Sequence, residues 1–91
     1  MAYELRYLPS VKKDLAGLPR SVASRVRNAL EYLAENPRAG KPLKADLAPF
    51  WSYRVADYRI VYEIREREIV VLVVMIGPRG EIYRRARRHR G

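Results

Sequence analysis

Arg54, Arg59, Arg79 and Tyr83 are the side chains of this sequence best suited to handling a phosphate. A guanidinium offers a planar fork of donors that matches phosphate oxygens two at a time, and it stays charged at any physiological pH. A phenol can stack on a base or move a proton. The spacing brings the first two together. With Ala56-Asp57 as a two-residue turn, Val55 pairs with Tyr58 and Arg54 faces Arg59 directly. Like charges at that spacing, ~5 Å between Cβ atoms, oppose folding. Three things relieve them: an anion between them, a neighbour such as Glu63 or Asp57, or simple access to water. Arg79 follows the last apolar stretch, between Gly77-Pro78 and Gly80. Glycines so placed either admit close approach of another chain or only punctuate a turn. Tyr83 lies four residues further on. Guanidiniums and a phenol on one sheet surface, with no metal ligands nearby, suit RNA better than a small metabolite.

The composition narrows the chemistry. There is no Cys, which excludes a disulfide scaffold, a thiol nucleophile and thiolate metal or iron–sulfur sites. With a single His a structural zinc site is excluded too, so neither metal nor cofactor is expected. Lys and Arg number 19 against 10 Asp and Glu, a net charge of +9, and 15 of the 19 are Arg. Such basicity on a small domain is the footprint of a nucleic-acid binder. An acidic protein or an anionic membrane would answer it equally, and an Arg-rich genome would give it no function at all. His89 has a suitable pKa for acid–base work but sits among arginines that oppose its protonation, so it is left out of the site. The longest apolar run, Ile69 to Ile76, has eight residues where a membrane span needs ~20. With no signal-peptide pattern, the expectation is a cytoplasmic protein with no membrane partner.

The elements that must position these residues fit one domain, residues 1–91. Residues 2–8 alternate like a strand. Ser10 is the expected N-cap of a short helix carrying Val11, Leu15 and Leu18, which Gly17 and Pro19 end. Pro19 suits the first turn of a second helix, where Val22, Val26, Ala29, Leu30 and Leu33 recur at helical spacing until Asn36-Pro37. Residues 37–50 read as a long connection held down by Leu43, Leu47 and Phe50. Three strands follow, 51–55, 58–65 and 68–76, joined by Ala56-Asp57 and Glu66-Arg67. On the second of them Arg59, Val61 and Glu63 share one face, while Tyr58, Ile60, Tyr62 and Ile64 take the other. Trp51 and Tyr53 read as core. The order β-α-α-β-β-β predicts an α+β domain: an antiparallel sheet joined by the first strand, with both helices on one face. Residues 84–91 read as a basic tail in which Arg84, Arg85, Arg87 and Arg88 either anchor RNA phosphates or are merely solvated.

The segments RVADYRIVYEI and GPRGEIYRR, with the earlier KKDLAGLP and ENPRAGKPLKADL, resemble the RelE/ParE superfamily of bacterial and archaeal toxins. The resemblance runs from Tyr3 to about Arg85. It implies the RelE-like fold and a metal-independent ribonuclease that enters the ribosomal A site and cuts mRNA by attack of a ribose 2′-OH on the adjacent phosphate. By position Arg59, Arg79 and Tyr83 match the family's catalytic set, and Arg54 matches one of two basic positions on the preceding strand. The other is Ser52, where the best-studied members have Lys at both. Arg, with a pKa above ~12, cannot act as a base at neutral pH, nor can Ser52. Lys41 and Lys44 are then loop charges or phosphate contacts, and Tyr83 is the remaining candidate base. The resemblance further implies a RelB-like antitoxin as partner, ribosome and mRNA as targets, and operator DNA bound through the antitoxin. A ParE-like gyrase inhibitor without nuclease activity is the alternative.

Overall fold

The computed structural model describes residues 2–90, and for Arg90 the backbone only. Residues 1 and 91, the two ends of the expected domain, lie outside the described residues. In chain order the elements are β1 (Glu4–Tyr7), α1 (Pro9–Ala16), α2 (Arg20–Glu35), β2 (Lys41–Pro42), β3 (Trp51–Val55), β4 (Tyr58–Arg65), β5 (Val70–Pro78) and α3 (Arg79–Arg90). The strands form one sheet in the order β1-β5-β4-β3-β2. The α+β class holds, but the sheet is mixed: β1 runs parallel to β5, with Glu4 opposite Val70 and Tyr7 opposite Val73, and the other pairs are antiparallel.

Both faces of the sheet are covered, which explains why β5 is an apolar run and not an alternating one. On one face Val11, Val26, Leu30 and Leu33 of α1 and α2 pack on Val55, Ile60, Tyr62, Val71, Val73 and Ile76. On the other, Ile82 and Ala86 of α3 join Leu47 and Phe50 over Val61, Val74 and Met75. A bulge makes this possible. Val61 pairs with Met75 but Tyr62 with Val73, so Val74 is the extra residue and two consecutive side chains enter the second core.

Four local expectations change. The basic stretch from Arg84 onward is no tail but most of α3, docked through Ile82 and Ala86, both fully buried. Its stripe of apolar residues is narrow and hidden among arginines. Ser10 does not cap α1; the helix starts at Pro9 with Leu8 at the N-cap and no side-chain cap, the fixed φ of proline serving the first turn instead. The connection 37–50 contains β2 and two 3-10 turns, Pro37–Ala39 and Ala45–Leu47. The second hairpin turn spans 66–69, so Ile69 belongs to the turn and not to the strand, with φ at 55°. The Ala56-Asp57 turn stands as expected, Ala56 supplying the positive φ of 53° that a two-residue hairpin needs.

Candidate functional site

The short turn has the predicted consequence: Arg54 and Arg59 are register partners. Two further pairings extend the row, Lys41 opposite Ser52 and Arg59 opposite Gly77. Since side chains alternate along a strand, Lys41, Ser52, Arg54 and Arg59 stand on the sheet face that α3 covers. Tyr83 descends onto it from α3, with its hydroxyl 3.2 Å from the Ser52 Oγ. Together Lys41, Ser52, Arg54, Arg59 and Tyr83 line a cleft of about 490 Å³, whose remaining wall comes from Tyr53 and residues 39–43.

The two facing arginines differ. Arg54 is exposed, and its Nε donates to the Ala56 carbonyl at 3.1 Å. Arg59 is half-buried, and its Nη1 is buried with no hydrogen-bond partner among the described residues. Glu63 does not neutralise the pair, because it accepts from Arg65 at 2.7 Å. A buried charged donor left without a hydrogen bond costs on the order of 1–3 kcal/mol or more, and an acceptor entering the cleft would supply the missing bond.

Tyr83 feels this field. Burial raises its phenol, but the Ser52 hydrogen bond, interaction with the Arg59 guanidinium and the charge of Arg79 outweigh burial and hold it below the usual tyrosine range. Arg54, turned toward Ala56, is not among the causes. Arg79 opens α3 one helical turn before Tyr83. Its N–H donates to the Asp57 carbonyl at 2.9 Å, and its exposed side chain acts on Tyr83 from outside the cleft wall.

Of the remaining predicted contacts, Lys41 is brought into the cleft and Lys44 is not; Lys44 is exposed beside the second 3-10 turn. Arg84 and Arg88 are exposed on α3. Arg87 donates to Asp46 at 3.3 Å. Arg85 is a correction: its Nη2 grips both carboxylate oxygens of Asp14, at 3.0 and 3.1 Å, so the group proposed for RNA is engaged inside the fold. His89 stands against Phe50, ring centres 6.2 Å apart, away from the cleft.

The sequence reading missed the residues that shape the cleft wall. The Tyr62 hydroxyl, on the opposite face, donates to the Pro37 carbonyl at 2.6 Å and accepts the Gly40 N–H at 3.2 Å. A Cβ on Gly40 would fall 2.5 Å from that hydroxyl and 2.6 Å from the Ser52 carbonyl, so only glycine lets the loop lie this close. A single glycine in a proline-rich connection carried no signal of it. Among the described residues no group of three His, Cys, Asp or Glu could hold a metal, and no helix is long and apolar enough to cross a membrane.

Comparison with known proteins decides the family. Residues 5–83 match the model of the ParE toxin of the type II toxin–antitoxin system parDE. The chain belongs to the RelE/ParE toxin superfamily. It is 37% identical over 87 residues to the toxin RelG of Mycobacterium tuberculosis, covering 93% of this chain and all of that one. It is 36% identical over 84 residues to the toxin RelE of the same organism, covering 90% of this chain and 87% of that one. Among solved structures, the RelBE2 toxin–antitoxin complex from M. tuberculosis superposes with a TM-score of 0.80 at 31% identity, over 87% of this chain and 100% of the other. A mutant of the E. coli toxin RelE in the free state gives 0.79 at 25% identity, over 98% of both chains. This RelE/ParE chain is therefore a toxin of the type II toxin–antitoxin kind, and the cleft lies on the α3 face of its RelE-like sheet.

Proposed function

We propose that this toxin is a ribosome-dependent mRNA endonuclease that stops translation by cutting in the A site. The observation that carries the reading is the buried, unpartnered Arg59 Nη1 beside a phenol held below its ordinary pKa, in a cleft lined by cations and hydroxyls. A scissile phosphate supplies the anion that Arg59 lacks. The ribose 2′-oxygen attacks phosphorus, the bond to the 5′-oxygen breaks, and the products are a 2′,3′-cyclic phosphate and a 5′-hydroxyl. Tyr83 takes the 2′ proton, and the leaving 5′-oxygen takes its proton from water, to which the open cleft gives access. A free phenol of pKa ~10 is ionised to about one part in a thousand at pH 7, and each unit of lowering raises that fraction tenfold. Ser52 donates to the phenolate so formed. Arg59 stabilises the charge that builds on the phosphorane, Arg54 and Lys41 hold the flanking phosphates, and Arg79 favours both the phenolate and the leaving oxygen. Guanidiniums do here the charge neutralisation for which other nucleases employ metal ions. Arg84 and Arg88 add sequence-independent attraction to RNA.

The partner in this reading is a RelB-like antitoxin with acidic character suited to a +9 surface, and the complex binds operator DNA through the antitoxin. The relatives solved as RelB–RelE complexes support it. A cytoplasmic location follows from a ribosomal target. The test adds purified protein to translating ribosomes and maps mRNA 5′ ends. Codon-phased cuts, lost in Arg79→Ala with the fold intact, are the expected result; a fully cleaving Arg79→Ala protein overturns the assignment of that residue. The matching ParE model favours a second reading, inhibition of DNA gyrase without nuclease chemistry. A supercoiling assay run in parallel separates the two, since gyrase inhibition without cuts selects the second.

A further inference from the structure

The hydroxyl of Tyr83 is useful only where α3 holds it, and α3 is an arginine-rich helix with a narrow apolar stripe. At 100° per residue, Tyr83 and Arg85 leave the helix roughly 80° to either side of the stripe formed by Ile82 and Ala86. Whatever fixes Arg85 therefore fixes the roll of the helix, and with it Tyr83. A roll of about 10° moves a side-chain tip about 6 Å from the axis by about 1 Å.

Arg85 is fixed at an open place in the sheet. β1 pairs with β5 only as far as Val73, so beyond it the edge of β5 has no strand partner on that side among the described residues. Asp14 of α1 accepts the Ile76 N–H at 3.0 Å, and Arg85 of α3 directs Nη1 at the Ile76 carbonyl at 3.4 Å. The guanidinium and carboxylate then close on each other. One ion pair, reaching from the helices of both faces, thus satisfies the main-chain groups that a longer β1 would have taken. Gly77 makes room for it: a Cβ there would stand 2.7 Å from Arg85 Nη1 and 3.1 Å from Ile82 Cδ1. Gly77 is also the register partner of Arg59.

We propose that Asp14, Gly77 and Arg85 are positioning residues for Tyr83, a latch over the free edge of β5 that sets the seat of α3 and hence the place of the phenol against Ser52 and Arg59. Its catalytic consequence rests on the endonuclease reading; its geometric consequence does not. The test is a phenol titration by ultraviolet absorbance on the full chain, the Tyr83 signal being isolated by difference from Tyr83→Phe. In the parent protein Tyr83 titrates below an ordinary tyrosine. In Arg85→Ala and in Gly77→Ala, each shown folded by thermal unfolding, it moves back up by at least half of that displacement. Arg85→Lys, which keeps the charge on Asp14 but loses the fork, falls between and serves where Arg85→Ala does not fold. In the ribosome assay the same variants lose about 10–100-fold in kcat, with KM for the ribosome little changed, as expected for misplacement by about 1 Å. An unchanged Tyr83 titration in folded Arg85→Ala and Gly77→Ala overturns the latch. A parent protein that cuts no mRNA overturns the endonuclease reading, and the titration still decides the latch.

Discussion

Tyr62 and Tyr83 carry the same phenol on opposite faces of one sheet, and their surroundings drive them in opposite directions. Tyr62 is fully buried under α1 and α2; burial pushes its phenol up to about 12, although the Gly40 N–H opposes this. Its hydroxyl donates once and accepts once inside the fold, so its proton is already committed to the Pro37 carbonyl. Tyr83, half-buried under α3, is held down instead by a serine and two arginines, one of which has a buried nitrogen without a partner among the described residues. A satisfied polar group stabilises a fold; an unsatisfied buried one calls for an explanation, and a catalytic role is one of the few available. The first face is structure, and the second is the one we propose as the site.

The largest test of that contrast is Arg59→Met. On the endonuclease reading proposed above, keeping the volume while removing the charge takes away the donor for the phosphorane, and cleavage is expected to fall by roughly 10²–10³-fold. Stability holds or rises, because a buried guanidinium nitrogen without a hydrogen-bond partner is removed. Loss of both activity and folding in thermal unfolding would place Arg59 with the structural residues.

The converse substitution is Tyr62→Phe. It strands the Gly40 N–H and the Pro37 carbonyl, at about 1–3 kcal/mol in urea denaturation at pH 7. The pH dependence has a definite sign. A native phenol raised from about 10 to about 12 contributes stability that is fully present below pH 10. That contribution is lost as pH rises through 12, roughly 2–3 kcal/mol over the window. The parent therefore loses its advantage over Tyr62→Phe between pH 10 and 12. Tyr83 acts oppositely: its lowered phenol adds stability as pH rises toward 10. A constant difference between parent and Tyr62→Phe across that range would mean the hydroxyl is not buried as described.

How much of this the chain revealed beforehand depends on sequence distance. A two-residue turn leaves its hairpin one register, so the Arg54–Arg59 pair was legible from local spacing. Tyr83 and Arg79 were legible as types, but the helix carrying them was not, since Ile82 and Ala86 are lost among five following or intervening arginines. The parallel pairing of β1 with β5 and the grip of Asp14 on Arg85 join residues about 66 and 71 positions apart, respectively. No local pattern marks such partners, so Arg85 looked like its neighbours Arg84 and Arg87. The two lysines of the connection were equally alike until β2 placed one of them opposite Ser52.

Those lysines give the smallest and most specific effect. Lys41 and Lys44 are three residues apart, both exposed, and of equal charge, so long-range attraction to RNA treats them alike. Only Lys41 lines the cleft. If the site face works through close phosphate contacts, Lys41→Ala weakens binding of a short single-stranded RNA by about 3–10-fold and lowers the salt slope by nearly one counterion. Lys44→Ala then changes neither beyond twofold. Equal losses in both, read from affinities at two or more salt concentrations, would mean that the +9 charge acts as a diffuse field and that the cleft adds no contact at Lys41.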